Sequence, residues 1–316
     1  MRRLWVLGVM VAVLGLMSCA PFSRDIPYAT LESRYADGTS QYIDLSDGVR
    51  MHYRVHGPEA APVLVLVHGF GASVHTWEPW VERLQSHYRI ISVDLPGHGL
   101  TRAPSGYSFS AGSNARLIED LTQRLNVRRF TFVGHSMGGA VAVRYALAHP
   151  EKLDALVLVA AAAWPREQQR TGNTPLAFQL LRNPVGRAIL RYVNPRLFAE
   201  RGLVSAYNDR SMVREEVVDR YVDLARAPGH RALLSSDRNN RGDPPLTPED
   251  FAGIAIATLV IHGENDRIIR ADDSRALAAA IPQARLVIYP DTGHMPMEET
   301  PDRSAADLRA FMEAPR

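Results

Sequence analysis

From residue 41 onward the chain switches between two hydrophobic rhythms. Short, nearly continuous apolar runs occupy residues 63–67, 89–93, 130–133, 153–159, 257–262 and 285–289. Such runs predict strands buried on both faces of a sheet. Between them, apolar residues recur at helical spacing over residues 76–86, 114–125, 140–149, 272–280 and 302–312. In the first of these, Trp77, Trp80, Val81 and Leu84 share one face. Two shorter strand-like runs, 41–45 and 49–55, flank Ser46-Asp47-Gly48, which is a hairpin signal. Alternating buried strands and amphipathic helices predict an α/β fold, a mostly parallel, doubly wound sheet with helices on both faces.

The alternation breaks near Trp164. From there to Arg241 no run reads as a strand, and amphipathic stretches at 177–182, 187–192 and 215–226 are broken by proline and glycine. A helical insertion after the sixth strand is expected over residues 164–245. It divides a core built from residues 40–163 and 246–316.

The N-terminus has a pattern of its own. Arg2 and Arg3 precede an apolar run from Leu4 to Met17, short for a bilayer span of about 20 residues and typical of a secretory signal. The run leads into Leu16-Met17-Ser18-Cys19, and Cys19 is the only cysteine in the chain. This segment resembles the lipobox of bacterial lipoproteins. The resemblance implies removal of residues 1–18, a diacylglyceryl group on the Cys19 thiol and acylation of the new amine. The mature protein would then be exported and held at the cell envelope through lipidated Cys19. Ala20, in place of an aspartate, implies the outer membrane in a Gram-negative host. Residues 19–39, polar and unpatterned, are expected to be a tether.

Arg2 and Arg3 also account for the formal net charge of +2, so the body is balanced and nucleic acid is not an expected partner. A single cysteine permits no intrachain disulfide and no cysteine-based metal cluster.

Chemistry-bearing residues gather where strands end. Gly134-His135-Ser136-Met137-Gly138 closes one apolar run and opens a helical stretch, the setting that pushes a serine to the tip of a tight turn. A serine hydroxyl needs a base, and the base needs an orienting carboxylate. His294, in Asp291-Thr292-Gly293-His294, follows the last strand, and Asp266 lies just past the strand ending at His262. Glu264 is the nearest rival to Asp266, with Asp94 and Asp291 behind it. Among the other histidines, His68 and His98 sit in glycine turns, His135 is expected to point away from Ser136, and His262 is expected to be partly buried. An oxyanion is best held by fixed backbone N–H groups, and that of Met137 follows the serine directly.

Five segments occur in one order: His68-Gly69-Phe70-Gly71-Ala72-Ser73, then residues 94–101 (DLPGHGLT), 134–139 (GHSMGG), 262–268 (HGENDRI) and 291–299 (DTGHMPMEE). Together they make the chain similar to the α/β-hydrolase fold family, in its cap-bearing branch of serine hydrolases. The resemblance implies a catalytic Ser136, Asp266 and His294, an oxyanion hole from the amides of Phe70 and Met137, and neither cofactor nor metal. It makes the insertion a cap over Ser136, with Leu176, Phe178, Leu180, Leu181, Phe198 and Tyr207 available as apolar lining. Serine in place of aspartate separates the chain from haloalkane dehalogenases and epoxide hydrolases. HGFGAS lacks the HGxGPG pattern of many carbon–carbon bond hydrolases, and GHSMG differs from the GGSWG elbow of prolyl aminopeptidases. The expected activity is that of a carboxylesterase or lipase-like enzyme on small hydrophobic or lipid-like esters. Carbon–carbon bond hydrolysis or haloperoxidase/perhydrolase chemistry could use the same triad. A non-catalytic envelope lipoprotein binding an apolar ligand is the reading outside enzymes. The oligomeric state is not set by the sequence.

Overall fold

The computed structural model describes residues 23–165, 180, 183–236 and 243–314. The leader, Cys19, and Leu176, Phe178 and Leu181 of the expected cap lining lie outside the described residues, as does most of the 177–182 stretch. The sheet contains β1 (Ser40–Asp44), β2 (Arg50–His56), β3 (Val63–Val67), β4 (Arg89–Val93), β5 (Phe130–His135), β6 (Leu153–Val159), β7 (Thr258–Gly263) and β8 (Ala284–Tyr289). They run in the order β1-β2-β4-β3-β5-β6-β7-β8. β2 is antiparallel to both β1 and β4, and every other neighbouring pair is parallel.

The described helices are α1 (Tyr28–Tyr35), α2 (Glu78–Leu84), α3 (Ala111–Arg124), α4 (Met137–Ala148), α5 (Pro184–Leu190), α6 (Arg196–Ala206), α7 (Glu215–Ala225), α8 (His230–Leu234), α9 (Pro248–Ala252), α10 (Ala271–Ala280), α11 (Pro296–Glu299) and α12 (Pro301–Glu313). The strict alternation of side chains along β3 shows why both faces are covered. Val65 and Val67 join a core with Leu117, Ile118 and Leu121 of α3, Val141 of α4 and Leu277 of α10. Leu64 and Leu66 join the opposite core with Trp77, Trp80, Leu84 and, from α12, Leu308 and Phe311. The Trp80 indole N–H donates to Ser304 Oγ at 2.8 Å, so its polar edge is satisfied inside that core. Helices α5 to α8 all fall between β6 and β7, where the sequence places the insertion.

Some boundaries differ from the sequence reading for local reasons. The third helix starts at Ala111, because Ser110 and Ser113 cap each other's backbone N–H groups ahead of the apolar stripe. The polar stretch 19–39 is not a free tether over its whole length. Residues 28–35 form α1, whose Leu31 packs with Ile26, Leu100, Leu224 and Ala227. Ion pairs from Arg34 to Asp223 (2.8 Å) and from Arg102 to Glu32 (2.6 Å) flank that contact.

Asp94, after β4, organises the turn beside the site. Its buried carboxylate accepts from His52 Nδ1 (2.7 Å) and from the N–H groups of Val74 (2.8 Å) and Leu100 (2.9 Å). Burial pushes this carboxyl up, but the hydrogen bond and charge of His52 and the Leu100 N–H outweigh it and hold it well below its ordinary value of 3.8. A folded-state value below the unfolded one means stability that is present above pH 3.8 and lost as the pH falls through the folded value. Asp94→Asn is expected to destabilise the protein by about 2–4 kcal/mol at pH 7. In urea unfolding at a series of pH values, that difference from wild type should narrow steadily below pH 3.8.

Candidate active site

Four strand ends meet at the carboxyl edge of the parallel sheet. Ser136 follows β5 with φ 50° and ψ −116°, a strained conformation for a residue other than glycine. Its neighbours hold the strain in place. The Ser136 N–H donates to the Val159 carbonyl (2.9 Å), and its own carbonyl accepts from Gly139 (2.9 Å) and Ala162 (2.8 Å). Nothing larger than hydrogen fits at the flanking glycines. A Cβ at Gly134 would stand 2.3 Å from the Gly138 carbonyl oxygen, and one at Gly138 would stand 2.2 Å from that of Val67. The chain is thus a tight strand–turn–helix with the serine at its tip, 8% exposed on the cavity wall.

His294 lies in the loop between β8 and α11. Its Nδ1–H donates to Asp266 Oδ2 at 2.6 Å, which leaves Nε2 as the basic nitrogen. Asp266 lies in the loop after β7; its side chain is fully buried, and its other oxygen accepts from the N–H groups of Ile268 (2.7 Å) and Ile269 (2.9 Å). Burial raises this carboxyl, but His294 first, and then His262, hold it well below the usual carboxylate range. The carboxylate is therefore a permanent anion near neutral pH, aimed at one imidazole of the cavity wall.

Ser136 and His294 line one cavity of about 280 Å³ together with Phe70 and His135. Cap residues close it, among them Leu190, Val193, Phe198, Leu203 and Tyr221. Phe70 follows β3 at the cavity edge, and Met137 opens α4, so its N–H is one of the amides that a helix start leaves without an intrahelical acceptor. A serine, an imidazole tied to a buried carboxylate, and a helix N-terminus under an apolar pocket can perform nucleophilic chemistry on an electrophilic carbon. Among the described residues, no three or more His, Cys, Asp or Glu side chains gather in a way that could hold a metal ion.

The rival side chains have other occupations. His68 is buried, donating from Nδ1 to the Gly69 carbonyl (2.7 Å) and accepting the Leu95 N–H at Nε2 (3.1 Å). His98 donates from Nδ1 to the Pro96 carbonyl at 3.1 Å. Asp94 is committed to the turn described above. Glu264 reaches out to Arg275 at 2.7 Å, and both side chains are 44% exposed. Glu264→Gln is accordingly expected to change kcat/KM by less than about twofold, since an exposed ion pair contributes little; steady-state kinetics on a soluble ester would check this.

Two histidines do more than the sequence suggests. His135, expected to point away from Ser136, still borders the site. It lines the cavity, lies with its ring centre 4.7 Å from that of His294, and donates from Nε2 to the His294 carbonyl at 2.9 Å. As the last residue of β5 it shares the face of Val133, where its ring centre lies 6.4 Å from that of Trp77. Burial, followed by the neighbouring His294, pushes His135 well below its ordinary value and keeps it neutral. His262 is completely buried, not partly so. Its Nε2 lies 3.1 Å from Asp266 Oδ2 and 3.0 Å from the Ile269 carbonyl, and its Nδ1 lies 2.7 Å from Ser274 Oγ. Both neighbours of Nε2 are acceptors, so that nitrogen carries the proton and Asp266 receives two imidazole donors.

The paired Glu298 and Glu299 close the arrangement. Glu299 accepts the N–H groups of Gly293 and of Asn208, each at 2.9 Å, and the His294 N–H donates to the Ala206 carbonyl at 2.6 Å. The end of cap helix α6 is thereby bonded to the His294 loop. Glu298 accepts from Thr76 (2.5 Å) and from Tyr207 (2.7 Å), which places Tyr207 in the cap–core seam and outside the cavity lining. Phe198 does line the cavity. Burial pushes the Glu298 carboxyl above its ordinary value.

A mostly parallel sheet carrying a strained serine at a strand–helix turn defines a hydrolase of the α/β fold. Residues 64–307 match the model of the Alpha/beta hydrolase family, and the chain belongs to that family. It is similar to the uncharacterized hydrolase YugF of Bacillus subtilis, with 27% identity over 274 residues, covering 84% of this chain and 96% of that protein. It is also similar to a 2-hydroxy-6-oxononadienedioate/2-hydroxy-6-oxononatrienedioate hydrolase of Comamonas testosteroni, with 26% identity, covering 84% of this chain and 93% of that one. Among solved structures, the esterase RhEst1 of Rhodococcus sp. ECU1013 superposes with a TM-score of 0.71 and 26% identity, covering 87% of this chain and 99% of that one.

Proposed function

We propose that the chain is a serine hydrolase of carboxylic esters, with Ser136 as nucleophile, His294 as base and Asp266 as the carboxylate that orients it. The observation that carries this reading is the 2.6 Å bond from His294 Nδ1 to buried Asp266, with His294 and Ser136 lining one cavity. In the mechanism, His294 Nε2 takes the Ser136 proton as Oγ attacks the ester carbonyl carbon. The amides of Phe70 and Met137 hold the resulting oxyanion. Collapse expels the alcohol, which receives the proton from His294, and leaves an acyl group on Ser136. A water molecule, deprotonated by His294, then releases the acid.

The apolar cap lining supports substrates with hydrophobic acyl or alcohol portions. Likeness to an esterase supports ester chemistry, and likeness to the Comamonas hydrolase favours carbon–carbon bond hydrolysis as the second reading. A series of p-nitrophenyl esters of increasing acyl length tests the first. Each added methylene buried in the cavity is expected to raise kcat/KM about fourfold until the cavity is filled, from about 0.8 kcal/mol per methylene. Absence of turnover on every ester by folded protein would remove this reading. The lipobox-like Leu16-Met17-Ser18-Cys19 supports export and anchoring at the envelope through Cys19. Metabolic labelling with a fatty-acid analogue, lost in Cys19→Ser, tests it.

A further inference from the structure

We propose that the outer face of the cap around α5 docks on an anionic phospholipid bilayer and seats the cavity beside it, an inference that rests on the anchoring and ester readings above. The first observation is where apolar side chains stand in water. Val185 is 70% exposed, Ile189 45%, Tyr192 63% and Leu197 52%. Val185, Ile189 and Tyr192 are spaced i, i+4, i+7 and so form one stripe along α5 and the turn after it. The adjacent stripe, Gly186, Leu190 and Val193, is turned inward, and Leu190 and Val193 line the cavity. The helix is thus apolar on two sides while the protein covers one of them. A surface helix of an ordinary soluble domain is polar on its outer side.

The second observation is charge. Residues 184–197 carry Arg187, Arg191 and Arg196 and no acidic residue. Arg196 is engaged by Glu215 and Asp219, whereas Arg191 meets the neutral Ser235 hydroxyl at 3.4 Å. Arginines interleaved with exposed aliphatic and aromatic side chains suit a headgroup layer above an apolar one.

The third observation is the route of the chain. The Ser23 N–H donates to the Tyr192 carbonyl at 2.9 Å, and the Ile26 N–H to the Arg226 carbonyl at 2.8 Å. Arg231 donates to the Ser23 carbonyl (2.8 Å) and Oγ (2.9 Å) and pairs with Asp25 (2.6 Å). Residues 23–26 are laid across the cap, and the described chain ends on Tyr192 itself. Cys19 lies only four residues earlier, at most about 14 Å of extended chain. A lipid on Cys19 therefore cannot enter a bilayer unless that bilayer is close to Tyr192 and Ile189. An apolar ester taken from the membrane would meet the cavity wall at Leu190 and Val193 with little water to cross.

The test uses the full chain reconstituted in vesicles of phosphatidylcholine and phosphatidylglycerol. A genetically encoded dansyl amino acid replaces Ile189 or, as the control, Glu59, which is exposed before β3 at the opposite edge of the sheet. Vesicles with brominated acyl chains are expected to quench the probe at position 189 by more than half and the probe at 59 hardly at all. The double variant Val185→Asp, Ile189→Asp should hydrolyse a vesicle-borne ester at least tenfold more slowly and a water-soluble ester within twofold of wild type. Unquenched emission at 189 overturns the proposal. Blue-shifted but unquenched emission also overturns it, because a second copy of the chain or another protein then covers the face. Quenching is read without turnover, so loss of the ester reading leaves the docking result standing.

Discussion

Ser136→Ala is expected to lower kcat on a carboxylic ester by about 10⁴-fold or more while the melting temperature stays within a few degrees of wild type. The two halves of this expectation have separate causes. The bonds that fix the turn come from the Ser136 backbone, to Val159, Gly139 and Ala162, and alanine keeps all of them. It also takes the same φ of 50° at no greater cost than serine. The hydroxyl removed is the group that would form the acyl-enzyme, and without it His294 has no proton to accept. What is left is the oxyanion site and the cavity, which in serine hydrolases retain about 10³-fold over water. Initial rates on a soluble ester and a thermal melt on the same sample check both halves. Retention of activity within tenfold would exclude Ser136 as the nucleophile.

Asp266→Asn is expected to cost about 10⁴-fold in kcat through a change of tautomer, with little loss of fold. Oδ1 of Asp266 accepts two backbone N–H groups, from Ile268 and Ile269. In asparagine the amide oxygen must take that place, so the NH₂ group faces His294 Nδ1. Two donors cannot share one bond. His294 would carry its proton on Nε2 instead, the nitrogen that has to receive the serine proton. His262 can keep its bond to the Ile269 carbonyl (3.0 Å), which limits the structural damage. Kinetics together with imidazole proton resonances of wild type and variant would check the exchange of tautomers. A kcat within tenfold of wild type would point to another carboxylate.

The parts of the site legible in the sequence are those encoded by neighbours. Gly134 and Gly138 flank Ser136 at the two positions where only hydrogen clears the backbone, and that spacing is visible without a structure. The buried strands were legible because both faces of β3 to β7 are covered, which demands unbroken apolar runs. The remainder depends on partners distant in the chain. Helix α1 carries a single buried residue, Leu31, so its sequence shows no stripe, and it forms because Leu100, Leu224 and Ala227 meet it. His262 contacts Asp266 only because the loop after β7 folds back on the strand end. The bond from Glu299 to Asn208 joins segments 91 positions apart, beyond the reach of any local pattern. The same holds for His135, whose bond to the His294 carbonyl joins positions 159 apart.

The central claim is that Ser136 forms a covalent acyl intermediate. The direct measurement is mass spectrometry of the protein after reaction with a fluorophosphonate that mimics the ester carbonyl, followed by peptide mapping. The account predicts one adduct per chain, on the peptide containing Ser136, formed far more slowly in Asp266→Asn. An intact, folded protein that takes up no adduct, or carries it on another residue, would contradict it.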